Sequence, residues 1–449
     1  MCNIVKFLYL LCKTVGVAPI SLDCSKGKLV ISFVGRLYSA VVALLLLGVI
    51  YTIPSSASDT SDVKDHIARY SYTWCSVLSL LAGIAPLIRS CTMKQHHVDS
   101  VFAKVLAVDA LLYKVRLTRY IQSPSLLWVS LTGTFILICL SYVHASMISP
   151  DVINIRVLMP SFILDIIRTC NIQQFFTLNL MLRERFKKLN DKLLQIFGIF
   201  TETELDIVVA ASLRNFPDSF TPSRIRKSVT GENFLHGKAS IFSPITSTSK
   251  FSHNSFIHHA PVTTMKSRNR LTQLQGAHLL LCEVSRTINI VHSVQNLFQI
   301  VSSFFCSVVF GYSLVMNVLD LKLLISVEAK VSVIVTSLLS VSASVWWLGN
   351  LICSSEMVKR ESSCTARLVK KLLLVPPPTD GSCREELQLF AQQLAGGPVD
   401  YSAAGLFSLD LSMVKTAAAA IATYLVILVQ FGLSDKSNQL NSVDVKGTT

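Results

Sequence analysis

Long apolar runs separated by polar stretches set the pattern of this chain. Seven runs are each near the length that crosses a bilayer at about 1.5 Å per residue. They fall at about Leu37–Ile53, Tyr72–Ile88, Leu126–Met147, Val157–Leu182, Val291–Val315, Val331–Cys353 and Met413–Leu433. Pro54 closes the first, and Pro86 with Arg89 ends the second. The pattern predicts an all-α polytopic membrane protein with seven transmembrane helices.

Between the runs, apolar residues recur at helical spacing. Phe102–Tyr120 reads as a helix, Arg183–Phe197 continues the fourth span, and Ala277–Asn289 leads into the fifth. Glu356–Leu374 continues the sixth span, and Glu385–Leu394 follows the break at Pro376, Pro377 and Pro378. Gly396, Gly397 and Pro398 end that helix. Apolar stripes outside the membrane need partners, so these extensions predict a packed bundle; the alternative is a set of solvated, charged extensions. Thr221–Arg270 is rich in Ser, Thr, Lys and His and reads as a mobile loop. His253, His258 and His259 lie in it without a nearby Cys or paired acid, so no metal site is expected.

The last run differs from a plain lipid-facing helix. Thr416, Thr423 and Gln430 recur every seven residues and share one face, with Ala420 and Ile427 between them. Such a stripe suits a helix that lines a wet path or packs in a bundle.

Composition agrees with a membrane protein. The chain is 51% hydrophobic and 15% charged, with a mean hydropathy of +0.52; a soluble domain carries about 25% charged residues. The net charge of +14 would raise nucleic-acid binding on a soluble protein. Here the basic residues lie between apolar runs, without the aromatic–basic arrays that stack bases, so nucleic acid is not an expected partner.

Lys and Arg also set an orientation. With the N-terminus cytoplasmic, segments 1–36, 89–125, 183–286 and 354–412 hold 32 of the 41 basic residues, and the opposite segments hold 7. Without the long 183–286 loop the ratio is 17 to 7. The expectation is an inside N-terminus and an outside C-terminus. FLYLLCKTVGVAP at the start has a short apolar run followed by Lys13 and no small-residue cleavage site, so it reads as a retained cytoplasmic segment. The organisation is then an N-terminal segment (1–36), helices 1–4 (37–182), a cytoplasmic loop (183–290) with a mobile middle (221–270), and helices 5–6 (291–353). A cytoplasmic segment (354–412), helix 7 (413–433) and an extracellular tail (434–449) follow. None of the 12 cysteines falls in an outside segment, so extracellular disulfides are not expected.

Thr423-Tyr424, five apolar residues and Gln430-Phe431 resemble the TY-hhhhh-QF signature of insect gustatory receptors. The preceding stretch, LQLFAQQLAGGPVDYSAAGLFSLDLSMV with Gly405, Phe407 and Asp410, resembles the family's approach to its last span. FLYLLCKTVGVAP, Arg183–Asp191 and Leu279–Leu297 are similar to family segments as well. The resemblance implies a ligand-gated cation channel at the plasma membrane, multi-pass, in a sensory neuron dendrite. It implies a homo- or hetero-tetramer of related subunits, with the seventh helix lining the pore and the cytoplasmic extensions forming an anchor. The implied partners are a small-molecule tastant and membrane lipid, with no cofactor.

On this basis Thr416, Thr423, Ile427, Gln430 and Phe431 are candidates for the pore, with Gln430 and Phe431 as the gate. The alternative has the threonines bonding back to their own helix and Gln430 bonding a neighbouring one. Tyr424 lies about 80° off the stripe and is assigned to packing. In the fourth span Asp165, Arg168, Asn171, Gln173 and Gln174 are unusually polar. Asp165 and Arg168 are spaced to pair, either as ligand contacts or as an internal salt bridge. Tyr142, His144, Tyr312, Thr336 and Ser337 are further pocket candidates in the outer halves of their spans. Trp346 and Trp347 read as interface anchors.

An enzyme is not expected: the spans carry no GxSxG, HExxH or P-loop. A transporter could use Asp165 and Arg168 as a substrate path, but it would carry two similar halves with broken helices. A G-protein-coupled receptor would place its N-terminus outside.

Overall fold

The computed structural model describes residues 3–18, 20–23, 28–51, 63–113, 124–148, 155–214, 264–319, 327–375, 381–397 and 399–446. In chain order these form α1 (Asn3–Thr14), β1 (Ile20–Asp23), β2 (Lys28–Ile31), α2 (Phe33–Tyr51), α3 (Val63–Thr92), α4 (Gln95–Tyr113), α5 (Pro124–Ile148) and α6 (Ile155–Ile196). There follow α7 (Glu202–Arg214), α8 (Thr264–Leu319), α9 (Val327–Leu374), α10 (Gly381–Leu394), β3 (Ser402–Ala403), β4 (Phe407–Ser408) and α11 (Leu411–Lys446).

Each of the seven apolar runs coincides with a helix: α2, α3, α5, α6, α8, α9 and α11. Among the described residues, five helices are long and apolar enough to span a membrane, at Thr73–Thr92, Ser125–His144, Arg268–Leu319, Lys330–Leu374 and Leu411–Ser434. The apolar helix Phe33–Gly48 is shorter among the described residues. α6 stands apart because Asp165, Arg168, Asn171, Gln173 and Gln174 interrupt its apolar run. The predicted helix 102–120 is present as far as Tyr113, and its remainder lies outside the described residues. α8 begins at Thr264, inside the stretch expected to be a loop; residues 221–263 of that stretch, with the three histidines, also lie outside the described residues. α11 runs on to Lys446, through most of the expected tail.

The fold divides into two compact units. The first comprises Met1–Asn190, Leu274–Thr365 and Gly396–Thr449. Within it α6 is the central helix, because it supplies residues to three apolar clusters. Leu164, Ile167 and Cys170 pack with Leu8 and Cys12 of α1, Ala43 and Leu46 of α2, and Leu80, Ile84 and Leu87 of α3. Phe176 and Leu180 pack on Leu127 of α5. Ile172 packs with Ile138 of α5 and with Ala343 and Trp347 of α9. Polar pairs also join these helices. Gln173 donates to Ser130 of α5 at 2.6 Å, and the same Ser130 hydroxyl donates to Asn350 of α9 at 2.6 Å. In a bilayer such pairs satisfy groups that lipid cannot.

The second unit comprises Asp191–Gln273 and Ala366–Ala395. Its apolar stripes are buried: Leu193, Leu194, Leu205, Leu271, Leu368, Val369, Leu372, Leu387 and Phe390 form its interior. Burial of these stripes is what the helical spacing of Arg183–Phe197, Glu356–Leu374 and Glu385–Leu394 required. Thr201 caps α7 by accepting from the Glu204 N–H at 3.2 Å, and Glu204 returns a carboxylate to the Phe200 N–H at 3.0 Å. Lys371 reaches Asp206 at 2.5 Å, and Arg268 reaches Glu386 at 3.0 Å.

Candidate functional site: a polar cluster on α6 and the exposed face of α11

Arg168 is 3% exposed in the interior of the first unit. A buried guanidinium must have each arm satisfied, and the neighbouring helices do this. Its Nε donates to Gln299 Oε1 at 3.1 Å and its Nη2 to Ser302 Oγ at 3.3 Å, both on α8. Its Nη1 lies 3.5 Å from Asp165 Oδ1, one turn back on α6. The face of Trp347 on α9 lies 4.4 Å from the guanidinium carbon, a cation–π contact. Asp165 also accepts from Tyr142 Oη of α5 at 3.1 Å. The cluster extends to α3, where Ser79 Oγ is 3.3 Å from Ser302 Oγ and 3.8 Å from Cys306 Sγ. Five helices therefore meet at one charged pair.

Of the pocket candidates, Tyr142, Asp165 and Arg168 are brought together. His144 bonds the Ser332 carbonyl of α9 at 3.1 Å, and Thr336 donates back to that carbonyl at 2.9 Å. These two share an acceptor along the α5–α9 seam. Ser337 is buried in α9. Tyr312 stands elsewhere: a Cβ on Gly432 of α11 would lie 2.7 Å from its hydroxyl. Trp347 corrects the interface reading, since it is 6% exposed and holds Arg168. Trp346 is likewise engaged, donating to Thr134 of α5 at 2.9 Å. Gln299, Ser302 and Ser79 were missed by sequence reasoning. For Gln299 and Ser302 the signal was the spacing of polar residues along α8 at Gln299, Ser302, Ser303 and Cys306, which marks one face of a helix.

On α11 no residue of Leu411–Ser434 is buried. The helix touches the rest of its unit along one side. Leu425 lies against Gly311 of α8, where an added Cβ would meet it at 3.3 Å. Gly432 lies against Tyr312 and Met316. Tyr424 sets its ring edge to Phe304, with centroids 6.1 Å apart. Thr416, Thr423, Ile427 and Gln430 are exposed, and Thr423 is about 160° round the helix from Leu425. The threonine hydroxyls donate back to their own helix, Thr416 to Ser412 O at 3.2 Å and Thr423 to Ala419 O at 2.9 Å. Each hydroxyl keeps its acceptor side outward. Phe431 is 71% exposed.

Known proteins share this fold. The fold resembles the insect olfactory receptor OR5 from Machilis hrabei, with a TM-score of 0.55 at 13% identity over 96% of this chain and 98% of that one. The structure of the same receptor in complex with eugenol gives a TM-score of 0.56 at 12% identity, with the same coverage. In sequence, gustatory receptor 28a of Drosophila melanogaster is 23% identical over 450 residues, covering 95% of this chain and 93% of the relative. Gustatory receptor 28b of the same species is 29% identical over 163 residues, covering 36% of this chain and 34% of the relative. The model of the 7tm chemosensory receptor family matches residues 5–202 and 245–435, and with these helices and these relatives the chain belongs to that family.

Proposed function

We propose that the chain is a gustatory chemoreceptor: a ligand-gated, nonselective cation channel opened by a small-molecule tastant. The observation that carries this reading is the exposure of α11. A span whose outward face held only apolar residues could be left to lipid. Thr416, Thr423 and Gln430 on that face are costly in lipid, and they call for water or for another copy of the helix. Four copies around an axis, in a homo- or hetero-tetramer, supply both. The stripe then lines a wet path, and its hydroxyl and amide oxygens hydrate a cation without holding it tightly. Ile427 and Phe431 close the path by excluding water, with Gln430 beside them at the gate.

The ligand binds among α5, α6, α8 and α9 near Asp165, Arg168 and Tyr142. In the structure these groups already bond one another, so a ligand acts by exchanging its own contacts for theirs. A fold relative solved with eugenol supports a small organic ligand within this architecture. The excess of Lys and Arg in segments 1–36, 89–125, 183–286 and 354–412 supports a cytoplasmic N-terminus, and membership of the chemosensory receptor family supports a plasma membrane, in the dendrite of a sensory neuron. The second unit is then the cytoplasmic anchor. No catalytic step is assigned to the chain.

Whole-cell recording on the expressed protein tests the reading, with a sugar, a bitter alkaloid, carbon dioxide and eugenol as the panel. The expected result is an agonist-evoked cation current that persists when G proteins are blocked. A current that disappears with that block overturns it, as does solute uptake without current, the behaviour of a transporter.

A further inference from the structure

Between α10 and α11 the chain reads Val399-Asp-Tyr-Ser-Ala-Ala-Gly-Leu-Phe-Ser-Leu-Asp410. Val399, Tyr401 and Ala403 are buried, while Asp400 and Ser402 are not, the alternation of a strand with one covered face. Ser402 pairs with Ser408 and Ala403 with Phe407. The turn closes through the Leu406 N–H on the Ala403 carbonyl at 3.0 Å, with Ala404 at φ 50° and Gly405 at φ 75°. Two successive left-handed residues give the twist that an antiparallel hairpin accepts.

We propose that this hairpin is the element through which α6 positions α11, with Tyr401 as the positioning residue. The proposal rests on the reading that α11 lines the conducting path. Tyr401 is 3% exposed and sets its ring edge-on to Phe175 of α6, with centroids 5.8 Å apart. Phe175 lies seven residues beyond Arg168, two turns along nearly the same face. The Tyr401 hydroxyl accepts from Ser285 of α8 at 2.7 Å, and the Ser402 N–H donates to Asn289 of α8 at 3.1 Å. One end of the hairpin is thus clamped between α6 and α8.

The other end is the cap of α11. Asp410 Oδ1 accepts from the Ser412 N–H at 3.0 Å and the Met413 N–H at 3.3 Å, satisfying two of the free donors that begin a helix. The Leu409 N–H donates to the Tyr401 carbonyl at 2.9 Å, so one hydrogen bond and one peptide separate Tyr401 from the cap. Lys359 of α9 closes the frame, lying 3.0 Å from Asp400 and 3.7 Å from Asp410, on the entry and exit sides of the hairpin. A displacement of Phe175 reaches Asp410 through groups in continuous contact. α11 can follow, because no residue of Leu411–Ser434 is buried. An ordinary core tyrosine would stabilise the unit without carrying a change at Arg168 to the first turn of α11.

The test reads the first turn directly. The full chain in lipid nanodiscs is followed by hydrogen exchange at the Ser412 and Met413 amides. Gln299→Ala perturbs the Arg168 cluster without stranding a charge. The expected result is exchange about 10-fold faster at these amides, an effect absent in a Tyr401→Ala background and retained with Tyr401→Phe. If Tyr401→Ala does not fold, Phe175→Leu breaks the same contact and takes its place. An unchanged first turn in Gln299→Ala overturns the proposal, as does an equal acceleration with and without the Tyr401 ring. Because this readout needs no current, failure of the channel reading appears separately, as a wild type silent to every compound of the panel.

Discussion

Asp109 of α4 takes both arms of the Arg185 guanidinium of α6, Nε and Nη2 each at 2.9 Å, and the two side chains are 5% and 4% exposed. Arg185 also donates to the Met181 carbonyl at 3.0 Å. This pair joins α4 to α6 outside the apolar runs. Removing one member strands the other charge, which costs about 3–5 kcal/mol, whereas replacing both by apolar residues of similar volume costs far less. Asp109→Ala is expected to lower thermal stability in detergent strongly. Asp109→Leu with Arg185→Met is expected to recover most of the loss.

Gly432 is set by a close approach. A Cβ there would lie 2.7 Å from Tyr312 Oη and 3.1 Å from Met316 Cε. Gly432→Ala therefore forces α8 and α11 apart or pushes the tyrosine aside, at about 1–3 kcal/mol. The expected result is a shifted ligand-free current at equal surface expression. Tyr312→Phe, which removes the atom in conflict, is expected to restore most of the wild-type behaviour in the double variant.

Trp347 covers the Arg168 guanidinium at 4.4 Å, and a partly desolvated contact of this kind contributes about 0.5–2 kcal/mol. Trp347→Leu keeps an apolar group but loses the ring face. It is expected to change the concentration giving half-maximal current by about 2- to 30-fold. Trp347→Phe should fall between the two. An unchanged concentration dependence in both variants would separate the Arg168 cluster from ligand binding.

The seven helices were legible because a bilayer imposes both a length and a composition on a span. The Asp165–Arg168 pair was legible because three residues is the reach of one helical turn. Gln299 and Ser302 were not, since what makes them partners of Arg168 is the docking of α8 on α6, more than a hundred residues away. Trp347 misled for a related reason: its place near the end of an apolar run suits an interface, and packing with α5 and α6 buries it. The β3–β4 hairpin left little trace, since each strand is two residues long and Ala404 occupies a left-handed position where glycine or asparagine would have announced a turn. The stripe on α11 was visible as a heptad spacing. Its exposure is a property of the folded unit, where only the opposite side of the helix is docked.

Lys359 and Asp410 make the hairpin frame insensitive to ordinary pH. The hydrogen bond with Asp400 raises the Lys359 pKa above the usual lysine value. Its contribution is present below the unfolded-state value and is lost as pH rises through the folded one. The hydrogen bond from Ser412 lowers the Asp410 pKa below the usual carboxylate value. That contribution is present above the unfolded-state value and is lost as pH falls through the folded one. Both groups stay charged between about pH 5 and 9. Exchange at the Ser412 amide, corrected for its intrinsic pH dependence, is expected to be level across that window.

Gln430 and Tyr424 offer the sharpest contrast on α11, because they sit on one helix, less than two turns apart, with different surroundings. Tyr424 packs its ring against Phe304, so Tyr424→Ala loses an apolar contact within the subunit. Gln430 is exposed on the face turned away from Leu425. If that face borders a cation path, Gln430→Ala removes an amide oxygen from the wall and leaves the subunit's own packing untouched. Its thermal stability should stay within about 0.5 kcal/mol of wild type, while current amplitude or relative sodium and potassium permeability changes. Tyr424→Ala should show the reverse, with lower stability and unaltered permeability ratios. Recording both variants at matched surface expression decides the matter: equal, small effects on permeation would take the polar stripe out of the pore.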